Sequence, residues 1–162
     1  MASSSLQQQI ASMRQSFFDE GIINRDRFIQ LENMPNSDFV NIAIKAYFKD
    51  SPKAINDIEN ALEAKPLNVT ELDRCLQIFK DGSDCIGASK VTTEINKIKF
   101  CCYDNDMERS RAAFAMMQLE YITLRSKLEA YLELLRQAAP PPAPIFLSNT
   151  NPPGHGSANG ND

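Results

Sequence analysis

Proline and glycine crowd into one end of this chain, and that crowding limits what the rest can become. Of the nine prolines, six (Pro140, Pro141, Pro142, Pro144, Pro152 and Pro153) follow residue 138, as do three of the six glycines, Gly154, Gly156 and Gly160. Helix interiors accept neither residue well: proline lacks an N–H and clashes with the preceding turn, and glycine loses the most backbone freedom on ordering. Residues 139–162 therefore cannot continue as helix. They hold too little apolar surface to offset their own ordering, so they are expected to form an extended, disordered tail. Residues 1–138 contain only three prolines and three glycines. Long helices and few turns suit that stretch, which is long enough for one domain with a substantial core.

Periodicity supports helices, because apolar residues recur at three and four rather than at two. Leu6, Ile10, Met13 and Phe17 form a first stripe that stops at Gly21. Asn24 is placed to cap a short second helix carrying Phe28 and Leu31 and ending by Pro35. A third stripe, Val40, Ile44, Tyr47, Ile55, Ile58 and Leu62, keeps its phase across Pro52, with Ser51 filling the missing step. One long helix bent at the proline is expected there, ending at Pro66. Thr70 with Asp73 resembles a capping box for a fourth helix with Leu72, Leu76, Phe79 and Ile86 on one face. Val91, Ile95, Ile98 and Cys102 mark a fifth. Asn105 with Glu108 signals the start of a sixth, along which Phe114, Met117, Tyr121, Leu124, Leu128, Tyr131 and Leu135 follow a heptad. That heptad is expected to serve the chain's own core rather than a coiled-coil dimer, since the other amphipathic helices need a partner too. The fold expected is all-α: an antiparallel four-helix bundle with two additional N-terminal helices, a domain over residues 1–138, and a tail over 139–162.

Composition narrows the function. With 17 Lys plus Arg against 21 Asp plus Glu, the formal charge is -4, and no concentrated basic face offers itself to nucleic acid phosphates. No stretch of eighteen apolar residues suggests a membrane span, and residues 1–20 lack the pattern of a secretory signal, so an intracellular protein is expected. Cys75, Cys85, Cys101 and Cys102 are not spaced as zinc-ligand pairs, so neither a metal nor another cofactor is expected; buried, reduced thiols are. The one histidine, His155, lies in the tail, where nothing fixes its neighbours. Ser-His-Asp and Cys-His chemistry thereby loses its imidazole.

A bundle buries its stripes, so function must come from an open face, and the fourth helix has an unusual one. At about 100° per residue, Gln77 points away from the Leu72, Leu76, Phe79 and Ile86 stripe. Asp73, Lys80, Asp81 and Asp84 stand at the i±3, i±4 and i+7 positions around it. A neutral amide thus sits within a charged strip. Periodicity alone gives such a strip no more than the standing of a solvated helix face with marginal ion pairs.

The local sequence gives it more. QIFKDGSDCIGA, residues 77–88, resembles the signature of the plant histidine-containing phosphotransfer proteins, approximately HQLKGSSSSIGA. These are four-helix-bundle carriers that pass phosphoryl groups between hybrid sensor histidine kinases and response regulators in cytokinin signalling. With IGA matched at Ile86, Gly87 and Ala88, the family's lysine falls on Lys80, one of its serines on Ser83, and its phosphoacceptor histidine on Gln77. EGIINRDRFIQLENM and DFVNIAIKAYFKDSPKAINDIENAL resemble the family's first loop and third helix, so the likeness spans roughly residues 15–136.

Imidazole offers a free lone pair that can attack phosphorus; the amide nitrogen of glutamine has its lone pair delocalised into the carbonyl. The resemblance therefore implies a pseudo-phosphotransfer protein, not an enzyme, that docks receiver domains without relaying and opposes the active carriers. The docking set it implies is Asp73, Gln77, Lys80, Asp81, Gly82, Ser83, Asp84 and Gly87, with no catalytic residue. Lys80 is expected to keep its role toward phosphate or the acidic receiver pocket. Asp81 stands where the family has a glycine, Gly82 is displaced by one position, and Asp84 replaces a small residue, so an empty, acidic receiver pocket should be repelled unless a metal or Lys80 compensates. A monomer in cytosol and nucleus is likewise implied. Three other readings stand beside this one: a carrier using His155, a thiol sensor built on Cys101 and Cys102 or on Cys75 and Cys85, and a helical adaptor with partners outside the phosphorelay.

Overall fold

The computed structural model describes residues 2–139, and over that span the periodic stripes become six helices: α1 (Ala2–Asp19), α2 (Arg25–Glu32), α3 (Phe39–Glu63), α4 (Val69–Ile86), α5 (Ser89–Tyr103) and α6 (Met107–Ala138). The tail expected over 139–162 lies outside the described residues, apart from Ala139.

Helix α3 is continuous through Pro52, as its unbroken phase requires. Proline has no N–H to offer the turn before it. The adjacent Ser51 hydroxyl, itself buried, donates to the Tyr47 carbonyl at 2.5 Å, whereas the carbonyl left without its helical donor by Pro52 is that of Phe48, four residues back. Asn24 caps α2 as expected, its side chain accepting from the Arg27 N–H at 2.8 Å. Two other starts are corrected. Asn68, not Thr70, caps α4 by accepting from the Glu71 N–H at 3.0 Å, so the helix begins earlier than the Thr70–Asp73 pair suggests. Asp106, not Asn105, caps α6 by accepting from the Arg109 N–H at 3.0 Å. Asn105 is spent on the turn, at φ 60°, a left-handed conformation that asparagine tolerates better than most residues.

Short connections fold α3, α4, α5 and α6 back on one another, each packing beside the next and α3 closing onto α6. α1 lies along α6, and α2 bridges α3 and α4. At 32 residues α6 is about 48 Å long, enough to face the bundle partners and α1 along one rod. Its heptad residues Phe114, Met117, Tyr121, Leu124, Leu128 and Tyr131 are all buried in this core. The centre is aromatic: Tyr47 stacks on Phe79 with centroids 5.9 Å apart, and Tyr121 meets Tyr47, Phe48 and Phe79 at 6.1 Å each. The ring pairs therefore tie α3, α4 and α6 together, with α4 held by one face and free on the other.

Candidate functional site

The free face of α4 centres on Gln77, which is exposed, with the buried Leu76 and Phe79 anchoring the helix beneath it. Both ends of the amide are engaged. Its nitrogen donates to the Asp81 carboxylate at 2.7 Å, and its oxygen accepts from the Lys99 ammonium of α5 at 2.7 Å. Carboxylates only accept and ammoniums only donate, so this chemistry fixes which way the amide points. Lys99 also lies 3.8 Å from Asp73, which accepts from the Tyr103 hydroxyl at 3.5 Å. One turn along, Lys80 pairs with Asp84 at 2.9 Å, and Asp84 accepts from the Thr92 hydroxyl at 3.1 Å. Three carboxylates and two ammoniums thus share the strip, and α5 supplies one of the ammoniums. None of these exposed pairs adds much stability.

Of the eight residues taken from the sequence for docking, Asp73, Gln77, Lys80, Asp81 and Asp84 reach this strip. Ser83 and Gly87 do not. Ser83 is fully buried and shares a 2.8 Å hydrogen bond with the Tyr47 hydroxyl, joining α4 to α3. Burial pushes the Tyr47 phenol well above its ordinary pKa, so the pair stays neutral and fully bonded. Gly87 is the buried left-handed cap of α4, with φ 74°, and its N–H returns to the Asp84 and Ser83 carbonyls. Its own carbonyl accepts from the Asn24 N–H at 2.7 Å, and Arg27 donates to the Cys85 carbonyl at 2.8 Å, so α2 seats on the end of α4 here. Gly82 is half-buried against the Tyr47 ring.

Sequence reasoning missed Lys99, Tyr103 and Thr92. Their spacing of seven and four along α5 was a usable signal of a helical stripe, but the register of α5 against α4 belongs to the packed structure.

The described strip holds no imidazole. The amide nitrogen of Gln77 is conjugated and already donates to Asp81, and His155 lies outside the described residues. Among the described residues no group of three His, Cys, Asp or Glu side chains is placed to hold a metal ion. The thiols stand apart from the strip chemically. Cys75, Cys101 and Cys102 are buried, and burial raises the pKa of Cys75 and Cys102, so a reactive thiolate is disfavoured at both. Cys85 corrects the expectation of interior thiols, being exposed.

Comparison with known proteins places this geometry in company. No protein-family model matches the chain. It is 34% identical over 143 residues to pseudo histidine-containing phosphotransfer protein 2 of Oryza sativa subsp. japonica, covering 86% of this chain and 94% of that one. It is 34% identical over 124 residues to histidine-containing phosphotransfer protein 4 of Arabidopsis thaliana, covering 76% of this chain and 95% of that one. In three dimensions it resembles a histidine-containing phosphotransfer protein of Medicago truncatula, with a TM-score of 0.75 at 23% identity, over 90% of this chain and 96% of that one. That last likeness speaks for the fold.

Proposed function

Given that the chain belongs to the plant family of histidine-containing phosphotransfer proteins and their pseudo members, we propose that it docks receiver domains of a two-component phosphorelay without carrying phosphate. On this reading Gln77 occupies the place of the phosphoacceptor, and the chain, no enzyme, competes with active carriers for hybrid kinases and response regulators in cytosol and nucleus. The observation that carries the proposal is the open face of α4, on which an amide rather than an imidazole is held between Lys99 and Asp81.

The strip matches what a receiver presents. A receiver pocket gathers carboxylates around a divalent cation, and the strip has two ammoniums for the carboxylates and three carboxylates for the cation side. Lys80 and Lys99 are the groups that would meet the pocket, and each now rests on a carboxylate that docking would have to displace or share. Ile78 of α4 and Tyr103 of α5 are both strongly exposed, at 53% and 69%, and supply apolar area beside the charges.

The test is a calorimetric titration of the full chain into a purified receiver domain, with and without magnesium. Saturable binding at or below roughly tens of micromolar is expected. It should be tighter with magnesium and weakened several-fold by Lys99→Ala and by Lys80→Ala. The absence of any interaction in that range, or acid-labile phosphate on the folded core after incubation with an autophosphorylated hybrid kinase, would overturn the reading.

A further inference from the structure

The ion pairs along the outer side of α4 leave one carboxylate over. Lys80 rests on Asp84 at 2.9 Å, Lys99 lies 3.8 Å from Asp73, and Arg74, the remaining cation of α4, pairs with Glu71 at 2.6 Å. Asp81 is exposed and, among the described residues, has no lysine or arginine partner; what it holds is the Gln77 amide nitrogen, at 2.7 Å. Lys80 precedes Asp81 in sequence, but neighbours along a helix diverge, and its side chain reaches the residue one turn on. Across Asp73, Lys80, Asp81, Asp84 and Lys99 the strip therefore keeps an excess of one negative charge, and that charge stands beside Gln77.

We propose that Asp81 makes the chain selective for one state of its partner: it docks a receiver whose pocket holds a divalent cation and no phosphate, and rejects the phosphorylated form. The inference rests on the docking reading above and adds to it the state of the receiver. The argument is one of charge. In an unphosphorylated pocket the cation faces the acceptor position, and it supplies the compensation that Lys80 and Lys99, already paired, do not give Asp81. Phosphorylation replaces one pocket carboxylate charge with about two on a phosphoryl group. That group projects toward the acceptor position, because transfer needs the attacking and leaving atoms in line there. Asp81 then meets a like charge across the interface, where little water remains to screen it. A carrier with glycine at this position, as in the family signature, brings no such charge. It can meet receivers before and after transfer, as a relay must, whereas this chain occupies only those still waiting for phosphate.

Calorimetric titration of the full chain and of full-length Asp81→Asn into a magnesium-loaded receiver domain, with and without beryllofluoride as the phosphoryl mimic, tests the inference. Asparagine keeps an oxygen for the Gln77 amide and removes the charge, at an exposed position where folding is not at stake. The unaltered chain is expected to bind the beryllofluoride form roughly five- to tenfold more weakly than the magnesium form. Asp81→Asn is expected to bind the two forms within about twofold of each other, and the metal-free receiver more tightly than the unaltered chain does. Equal affinity of the unaltered chain for the two forms would overturn the inference and leave docking intact. So would a preference that survives Asp81→Asn, since it would then belong to the receiver's own change of shape. Absence of binding to every form would overturn the docking reading and this inference with it.

Discussion

On the proposed reading, the one side chain of Gln77 separates docking from chemistry. Glutamine keeps the size and the hydrogen-bonding capacity of a neutral imidazole but has no lone pair free for phosphorus. Restoring the lone pair should restore some reactivity. In Gln77→His the ring would inherit the Asp81 carboxylate and the Lys99 ammonium as neighbours, since these now bind the amide at 2.7 Å on either side. Lys99 favours an incoming phosphoryl group and Asp81 opposes it. Gln77→His is therefore expected to take acid-labile radiolabel from an autophosphorylated hybrid kinase, slowly, while the unaltered chain takes none. Adding Asp81→Gly should raise the transfer rate roughly five- to tenfold by removing a like charge from the path. A double variant no faster than Gln77→His would show that Asp81 is not the obstacle. Gln77 and Asp81 were both legible in the sequence, because a period of 3.6 residues fixes which side chains of one helix share a face. Lys99 was not, because nothing in the spacing along α5 says how far that helix slides against α4.

At the scale of the element, the stretch from Gln77 to Ala88 mixes exposed charged groups with groups that hold the fold. Ser83 follows Leu76 by seven residues and Phe79 by four, which puts it on the buried stripe whatever the motif suggests, and there it bonds Tyr47. The two glycines of this stretch part in the same way. A Cβ added to Gly82 would meet the Tyr47 ring at an ordinary 3.7 Å, within a helix where alanine is preferred. At Gly87 it would lie 3.1 Å from the Arg27 Cβ and 3.3 Å from the Asn24 Cβ, on a backbone at φ 74°. Gly82→Ala should therefore be neutral or stabilise by up to about 1 kcal/mol, raising Tm by roughly 2–4 °C. Gly87→Ala should cost about 2 kcal/mol or more, from left-handed strain plus crowding, and lower Tm by at least roughly 4 °C. Thermal unfolding followed by circular dichroism checks both, and equal shifts at the two positions would refute this division. Caps were the least legible part of the elements. Asn68–Glu71 and Thr70–Asp73 have the same spacing, and only the path of the chain after Pro66 decides which pair meets the free amides of α4.

For the whole molecule, the fold that was readable from six apolar stripes is also what the proposed competition requires. The bundle's stability comes from buried faces such as the Tyr47, Phe79 and Tyr121 cluster, none of which involves the outer side of α4. A carrier can thus lose its phosphoacceptor without losing the shape a receiver recognises. A non-reacting relative that occupies the same receiver surface leaves the chemistry of each productive encounter untouched and only reduces how often it happens. In a reconstituted relay of phosphorylated active carrier and receiver domain, this chain should raise the apparent KM of the carrier in proportion to its own concentration. It should double that KM when its concentration equals its dissociation constant for the receiver, and leave the maximal rate unchanged. Lys99→Ala and Lys80→Ala should weaken the inhibition by the same factors by which they weaken direct binding. A fall in maximal rate at constant KM would instead place the chain on a ternary complex away from the carrier's surface. Radiolabel collecting on the chain during the assay would make it a carrier after all.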